Sequence, residues 1–489
     1  MATLTRITKS ALAALALAAV AACSTNPATG ERQLTFMSAD QERQLGAEQH
    51  SQVLAAFGGA YDDPKLGAYI AAIGGRLVQR TETSTAQFRF TVLDSPIVNA
   101  MALPGGYVYI TRGILALAND EAELASVIGH EIGHVTARHS AARHARGTLI
   151  GVLAAGVGAV SGNGTVAQLA NVAGAAAVAS YSRDQEYQAD QLGVRYISRT
   201  GYDPYGSPRF LNQLSAQELV QNKIAGKDGR DSGQDFFASH PSSPDRVKRA
   251  QSLASQAGAQ NGAPNRDQFL SMIDGMVYGD SPEEGFIRGH AFLHPQLKIA
   301  FQVPEGWVMQ NSSSAVVARD PAGKGAMQFD AAPIDQGLSN VAFIRDVWAK
   351  GHQVQDLQNI KVNGMTGASG VVQVAAQGGT AVYRMTVVRV SNTQIYRFLT
   401  LAASADFAAM DPQFRWIVGS FKRLSDAEAA NLKPYRLRVA TVKSGETVSD
   451  YARRMSFLPF AEDQFLLMNA LPPNARLQAG QKVKYVSQN

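Results

Sequence analysis

His130-Glu131-Ile132-Gly133-His134 sets two imidazoles four positions apart with a carboxylate beside the first. On a helix, residues i and i+4 leave the same face, so both rings reach one ion while Glu131 points into the adjoining cleft. Two histidines leave a metal under-coordinated, and a catalytic zinc takes a third protein ligand and keeps one position open for water. Tyr181-Ser-Arg-Asp-Gln-Glu186-Tyr-Gln-Ala-Asp190 repeats the i, i+4 spacing with Glu186 and Asp190. The pattern predicts one Zn²⁺ per chain on His130, His134 and Glu186. Asp190 would accept the outer N–H of a bound histidine, and Glu131 would be the base that takes a proton from the metal's water. That chemistry is metal-assisted hydrolysis. A different zinc class places a third histidine ten positions after the first, with a glycine between. Here that position is Ser140; His139 falls one short and, with His144, reads as a surface or supporting histidine.

These side chains need two helices and a small sheet to hold them. Asp120 caps the first helix with Glu123 three residues on, and Leu124, Val127, Ile128, Glu131 and Val135 follow a helical period. The alternating stretch Phe88–Val92 and the run Tyr107–Thr111 after Pro104-Gly105-Gly106 predict strands. A Gly/Ala-rich apolar stretch over 147–180 is broken by Ser161-Gly162-Asn163-Gly164 into pieces too short to cross a bilayer. It reads as a buried helical hairpin, with a lid or membrane-contacting element as the alternative. Beyond residue 280 the period changes to two: Leu297 to Val303, Val371–Val374, Val382–Val390 and Ile395–Leu401, with a helix near Asn340–Lys350.

A chain of 489 residues exceeds one core. The expected fold is a mainly α zincin-type domain with a small β-sheet over 40–265, an α+β domain over 280–425, and a small βααβ module over 435–487. The net charge of +5 is spread out without a dense Lys/Arg block, which excludes nucleic acid as a partner. Cys23 is the single cysteine, so no intramolecular disulfide forms. Residues 1–22 carry Arg6 and Lys9 and then an apolar run, the order of a secretory signal peptide, and residues 23–39 read as a polar tether. Val20-Ala21-Ala22-Cys23 resembles a lipobox. That resemblance implies lipidation of Cys23, and Ser24 implies sorting to the outer membrane, facing the periplasm of a Gram-negative bacterium.

The combination H-E-x-G-H-V and S-R-x-x-E-x-x-A-D resembles the zinc metallopeptidase family of CAAX prenyl proteases and HtpX-type proteases, nearest to its periplasmic lipoprotein branch, over about half the chain. The resemblance implies cleavage of unfolded or misassembled envelope proteins, as in outer-membrane protein quality control. It also implies a substrate-pairing edge strand at Tyr107, Val108 and Tyr109, introduced by Asn99 and Gly106. Ser239-His240-Pro241 and Arg246 match family positions as well: His240 as a regulatory fourth ligand, and Arg246 as a catalytic residue near the oxyanion. The tetratricopeptide repeats carried by some members are not visible. Phe301-Gln-Val-Pro-Glu-Gly-Trp307 is weakly similar to the start of PsbP-like domains. Thr441 to Val448, Met468 to Leu471 and Leu477 to Lys484 resemble a LysM module, implying peptidoglycan as a partner. Two alternatives stay open: a peptidoglycan-associated scaffold or chaperone with latent proteolysis, and a peptidoglycan hydrolase.

Overall fold

The computed structural model describes residues 23–83, 87–147, 180–224, 240, 244–258, 264–376 and 379–488. The segment 1–22 expected to be a signal peptide, and all but the ends of the 147–180 stretch expected to be a helical hairpin, lie outside the described residues. The chain forms two compact units. Among the described residues, the first runs to Leu54, from Gly59 to Met276 and again from Leu437 to Ser487; the second is chiefly Val277–Arg436.

The first unit begins where a tether is expected. Strands β1 (Cys23–Thr25) and β2 (Arg32–Leu34) instead form an antiparallel hairpin, because Asn26 Oδ1 accepts from the Ala28 and Thr29 amides and turns the chain. Helices α1 (Ala39–Ala56) and α2 (Pro64–Val78) follow, the second capped by Asp63 with a proline at its start. A three-stranded sheet comes next, of β3 (Arg89–Leu93), β4 (Ala100–Leu103) and β5 (Tyr107–Thr111), in the order β3-β5-β4. The short α3 (Arg112–Leu117) leads to α4 (Glu121–Thr136). Then come α5 (Arg183–Thr200), α6 (Gly206–Ile224), α7 (Pro244–Gln256) and α8 (Arg266–Ile273).

The second unit opens with β6 (Val277–Tyr278) and two antiparallel strands, β7 (Phe286–Arg288) and β8 (Ala291–His294). With β9 (Ile299–Gln302) and β17 (Lys422–Arg423) the latter two form a four-stranded sheet ordered β17-β9-β8-β7. A seven-stranded antiparallel sheet comprises β10 (Val308–Asn311), β11 (Val316–Arg319), β12 (Gly325–Pro333), β13 (Gln355–Val362), β14 (Met365–Ala376), β15 (Gly379–Arg389) and β16 (Gln394–Ala403). Period-2 alternation divides its core. On β16, Tyr396, Phe398 and Ala402 join a cluster with Phe301, Phe329 and Phe414, while Ile395 joins Phe343, Ile344 and Val387 on the other face. The helix expected near 340–350 is α9 (Asn340–Ala342) continuing as a π-helical turn over Phe343–Trp348. Helices α10 (Ser404–Ser420) and α11 (Asp426–Asn431) complete this unit.

At Leu437, within β18 (Tyr435–Thr441), the chain re-enters the first unit and continues through α12 (Val448–Arg454), α13 (Ala461–Met468) and β19 (Lys482–Ser487), the expected βααβ order. This stretch packs into the first unit. Lys484, fully buried, donates from Nζ to the carbonyls of Ala116 at 2.7 Å, Leu117 at 3.3 Å and Ala118 at 2.5 Å. Those carbonyls end α3 and would otherwise be orphaned, so the lysine is a C-cap delivered from another part of the chain. No helix among the described residues is long and apolar enough to cross a membrane.

Candidate metal centre

Helices α4 and α5 lie side by side at a spacing set by glycines. A Cβ on Gly133 would sit 3.2 Å from Ala189 O, and one on Gly193 would sit 3.1 Å from His130 N. Glycine at these positions lets the two backbones approach until side chains from both reach one point. The ends of the helices are fixed as well. Asp120 accepts from Glu123 N at 2.8 Å, while Glu123 turns back to accept from Asn119 N. Ser182 and Gln185 form a reciprocal capping box on α5, and Gly201 at φ 87° ends it. The sequence reading did not single out that box, although its residue types were legible.

Within this frame His130, His134, Glu186 and His240 bring four ligand atoms together, all buried. His130 Nε2 is 3.0 Å from His134 Nε2 and 3.3 Å from His240 Nδ1. Glu186 Oε1 is 3.0 Å from His240 Nδ1 and 3.4 Å from His134 Nε2. His130 Nδ1 lies 2.9 Å from Asp190 Oδ1, a pure acceptor, so Nδ1 carries the hydrogen and a neutral ring presents a bare lone pair at Nε2. His134 presents Nε2 to the same point. Two lone pairs facing each other at 3.0 Å are reconciled by a cation. Zn–N and Zn–O bonds of about 2.0–2.2 Å in a tetrahedron separate the ligand atoms by about 3.3 Å, the spacing seen here. The donor set fits zinc.

Electrostatics agrees. Burial favours the neutral form of Glu186, but the charge and hydrogen bonds of His240 and His134 outweigh it and hold its carboxyl well below the usual range. Asp190 is likewise held down against burial, by Arg246 and His130. Burial drives His134 well below its ordinary value. Glu131 is the contrast: burial pushes its carboxyl up, neither oxygen accepts a hydrogen bond from the described residues, and His240 Nε2 stands 3.5 Å from its Oε1. A buried, unsatisfied carboxyl beside the ligand cluster is what a proton carrier needs.

Arg246, on α7, is buried. It grips Asp190 through Nε to Oδ2 and Nη2 to Oδ1, both at 2.8 Å, and places Nη1 2.7 Å from Glu186 Oε2. These contacts place Arg246 as a brace on two carboxylates. The substrate strand needs correction. Tyr107, Val108 and Tyr109 lie on β5, which is the middle strand, paired parallel with β3 and antiparallel with β4. All three are buried. Gly106, at φ 90°, forms the hairpin turn, where a Cβ would meet Gln87 O at 2.2 Å. The edge on the β4 side is Ala100–Leu103, entered from Asn99, whose backbone N–H donates to Thr111 Oγ1 at 3.1 Å. His139 is fully enclosed: Nδ1 lies 2.9 Å from His134 Nδ1, and burial takes its ring down to about 4. The side chain of Cys23 lies outside what the structure describes.

A buried His/His/Glu cluster on two neighbouring helices, with a free carboxyl beside it, defines a metallopeptidase-type centre. Residues 64–254 match the model of peptidase family M48. The chain is 30% identical over 253 residues to the beta-barrel assembly-enhancing protease of Yersinia pestis, covering 48% of this chain and 49% of that one. It is 27% identical over 239 residues to the mitochondrial metalloendopeptidase OMA1 of Schizosaccharomyces pombe, covering 47% and 66%. The chain spans about half the length of the first of these curated relatives. The solution structure of cyanobacterial PsbP from Synechocystis, at 12% identity, 28% of this chain and 94% of that chain, has a TM-score of 0.23, too low to carry an argument.

Proposed function

We propose that the chain is a zinc endopeptidase cleaving unfolded or misassembled envelope proteins in outer-membrane protein quality control. The observation that carries the chemistry is the convergence of His130, His134 and Glu186 beside an unsatisfied Glu131. His130, His134 and Glu186 would hold the zinc ion, which when bound would supply Lewis acidity and lower the pKa of a water toward neutrality. Glu131 takes the proton and delivers it to the leaving amine. Asp190 fixes the His130 tautomer, and Arg246 holds Asp190 and Glu186 in place. An extended substrate segment adds along the β4 edge, beginning at Asn99, which favours unfolded chains over folded ones. His240, the fourth residue of the cluster, would close the ligand set in a resting state and would have to withdraw to admit water.

The envelope role draws support from the name of the Yersinia pestis relative and from the lipobox-like Val20-Ala21-Ala22-Cys23, which would anchor the protein to the outer membrane, facing the periplasm, through a lipidated Cys23. The domain division 1–22, 23–39, 40–265, 280–425 and 435–487 is part of the same reading. Its LysM-like last part would bind peptidoglycan.

Zinc-loaded protein incubated with unfolded casein tests the activity. Glu131→Gln should retain zinc and lose cleavage by about 10²–10⁴-fold; full activity in that variant would sink the mechanism. A second reading, a peptidoglycan-associated scaffold with latent proteolysis, is favoured by His240 closing the ligand set. Pull-down by purified sacculi without casein cleavage would select it, and released muropeptides would select a peptidoglycan hydrolase.

A further inference from the structure

The two ligand histidines on α4 are supported differently. His130 leans on Asp190, which Arg246 braces. The corresponding nitrogen of His134 meets another histidine. An uninterrupted helix would carry His139, five positions on, away from the face of His134. The chain instead leaves α4 at Arg138, whose φ of 56° is left-handed for a non-glycine residue and has an energetic cost. Two contacts hold Arg138 there: Nε to Glu42 Oε1 at 2.8 Å and Nη2 to Met37 O at 2.6 Å. The turn swings His139 back until its Nδ1 is 2.9 Å from His134 Nδ1. Ser140 follows, its Oγ 3.0 Å from the hydroxyl of Tyr181, whose ring stacks on His134 at 3.9 Å.

Hydrogen-bond directions along this path follow from one end to the other. With His134 Nε2 turned to the ligand cluster, its Nδ1 carries the hydrogen and donates to His139 Nδ1. His139 Nε2 then carries the hydrogen of that ring and donates to Gln188 Oε1 at 2.7 Å. Gln188 Oε1 also accepts from Asn26 Nδ2 at 3.2 Å, and its Nε2 donates to Glu31 Oε2 at 2.8 Å. The amide has one orientation that meets all three contacts. Arg195 Nη2, also on α5, donates to Ala28 O at 3.1 Å and fastens the same hairpin.

We propose that His139 and Gln188 are positioning residues of the metal centre, forming a neutral relay that orients His134 and is anchored on the N-terminal hairpin through Asn26 and Glu31. This rests on the reading of the cluster as a zinc site. The hairpin thereby becomes part of the metal's support, although it lies outside the residues matched to the peptidase family. The relay carries no net charge, in contrast to the Asp190 side, so it fixes the direction of the His134 lone pair without adding a formal charge.

Zinc affinity, measured by competition with a chromophoric chelator, tests this together with the visible spectrum of the Co²⁺-substituted protein. Supporting-residue loss at metal sites typically costs about 10–100-fold in affinity. His139→Leu should fall in that range and shift the Co²⁺ bands. Gln188→Leu, half-buried and safer for folding, should weaken zinc in the same direction. Gln188→Glu keeps an acceptor facing His139 but sets a carboxylate against Glu31; combined with Glu31→Gln, which supplies the donor from the other side, it should restore the Co²⁺ spectrum. Affinities of both leucine variants within twofold of wild type, with unchanged Co²⁺ bands, would overturn the relay; so would a lowered melting temperature of the metal-free protein as their sole effect. If His139→Leu fails to fold, the Gln188 pair decides by the same criteria. Wild-type protein that binds no zinc would instead overturn the reading of the site itself.

Discussion

The two units both have apolar cores but differ in what else they bury. The second fills both faces of its large sheet with apolar side chains, Phe301, Phe329, Phe398 and Phe414 on one side and Phe343, Ile344 and Ile395 on the other. The first places His130, Glu131, His134, Glu186, Asp190, His240 and Arg246 in its interior. Apolar burial is favourable by itself, whereas buried charges cost desolvation unless paired or bound to a metal. The difference teaches where burial serves more than stability: the first unit keeps a cluster of ligand-type side chains whose arrangement fits a cation.

A matched pair of substitutions sharpens this contrast most. Arg246→Met leaves Asp190 and Glu186 buried without their cation and should destabilise the first unit by about 3–5 kcal/mol, with zinc affinity falling. Phe398→Ala should cost the second unit a similar amount, about 3–5 kcal/mol, with zinc content by atomic absorption unchanged. Equal loss of zinc in both would break the comparison. Removing metal comes next. Zinc at about 100 times its dissociation constant contributes about 2.7 kcal/mol, so chelation should lower protection of α4 and α5 in hydrogen exchange while β14–β16 keep theirs. Lys484→Met removes the donor shared by three carbonyls and should cost about 1–3 kcal/mol, read by chemical denaturation of the first unit.

The smallest effect lies in the second unit's own charge cluster. Burial raises the Asp411 carboxyl, but hydrogen bonds and charge from Arg384 and Arg415 outweigh it and hold its value below 3.8. A depressed carboxyl stabilises above its free value and loses that contribution as pH falls through the folded value. Asp411→Asn should therefore cost up to about 1 kcal/mol at pH 7, given the partly exposed setting. The difference from wild type should start to shrink as pH drops below about 3.8 and vanish below the depressed folded value; a difference that grows in acid would reverse the assignment.

Much of the centre was legible because helices enforce local spacing. His130 with His134 and Glu186 with Asp190 each share a face by backbone geometry alone, so four site residues follow from two i, i+4 pairs. Glu131 follows from the same five-residue motif. The β5 expectation failed for the complementary reason: pairing order in a sheet is a long-range property, and nothing local to Tyr107–Thr111 says that β3 covers its second side. His139 reads as a surface or supporting residue from its count, and only the left-handed Arg138 decides between them. Arg246 is placed near the centre by resemblance, but its role depends on which carboxylates it meets. The strand-rich pattern beyond residue 280 held well, since alternation is a two-residue signal that survives whatever the neighbours are.

Lys484 also sets a timetable. The carbonyl of Ala118 waits for a donor 366 positions later in the chain. At about 5–20 residues per second of synthesis, roughly 20–70 s separate the two. During that interval the end of α3 and the start of the helix bearing His130 and His134 lack their last fastening. The cap on α3 therefore forms only after the intervening unit has been synthesised.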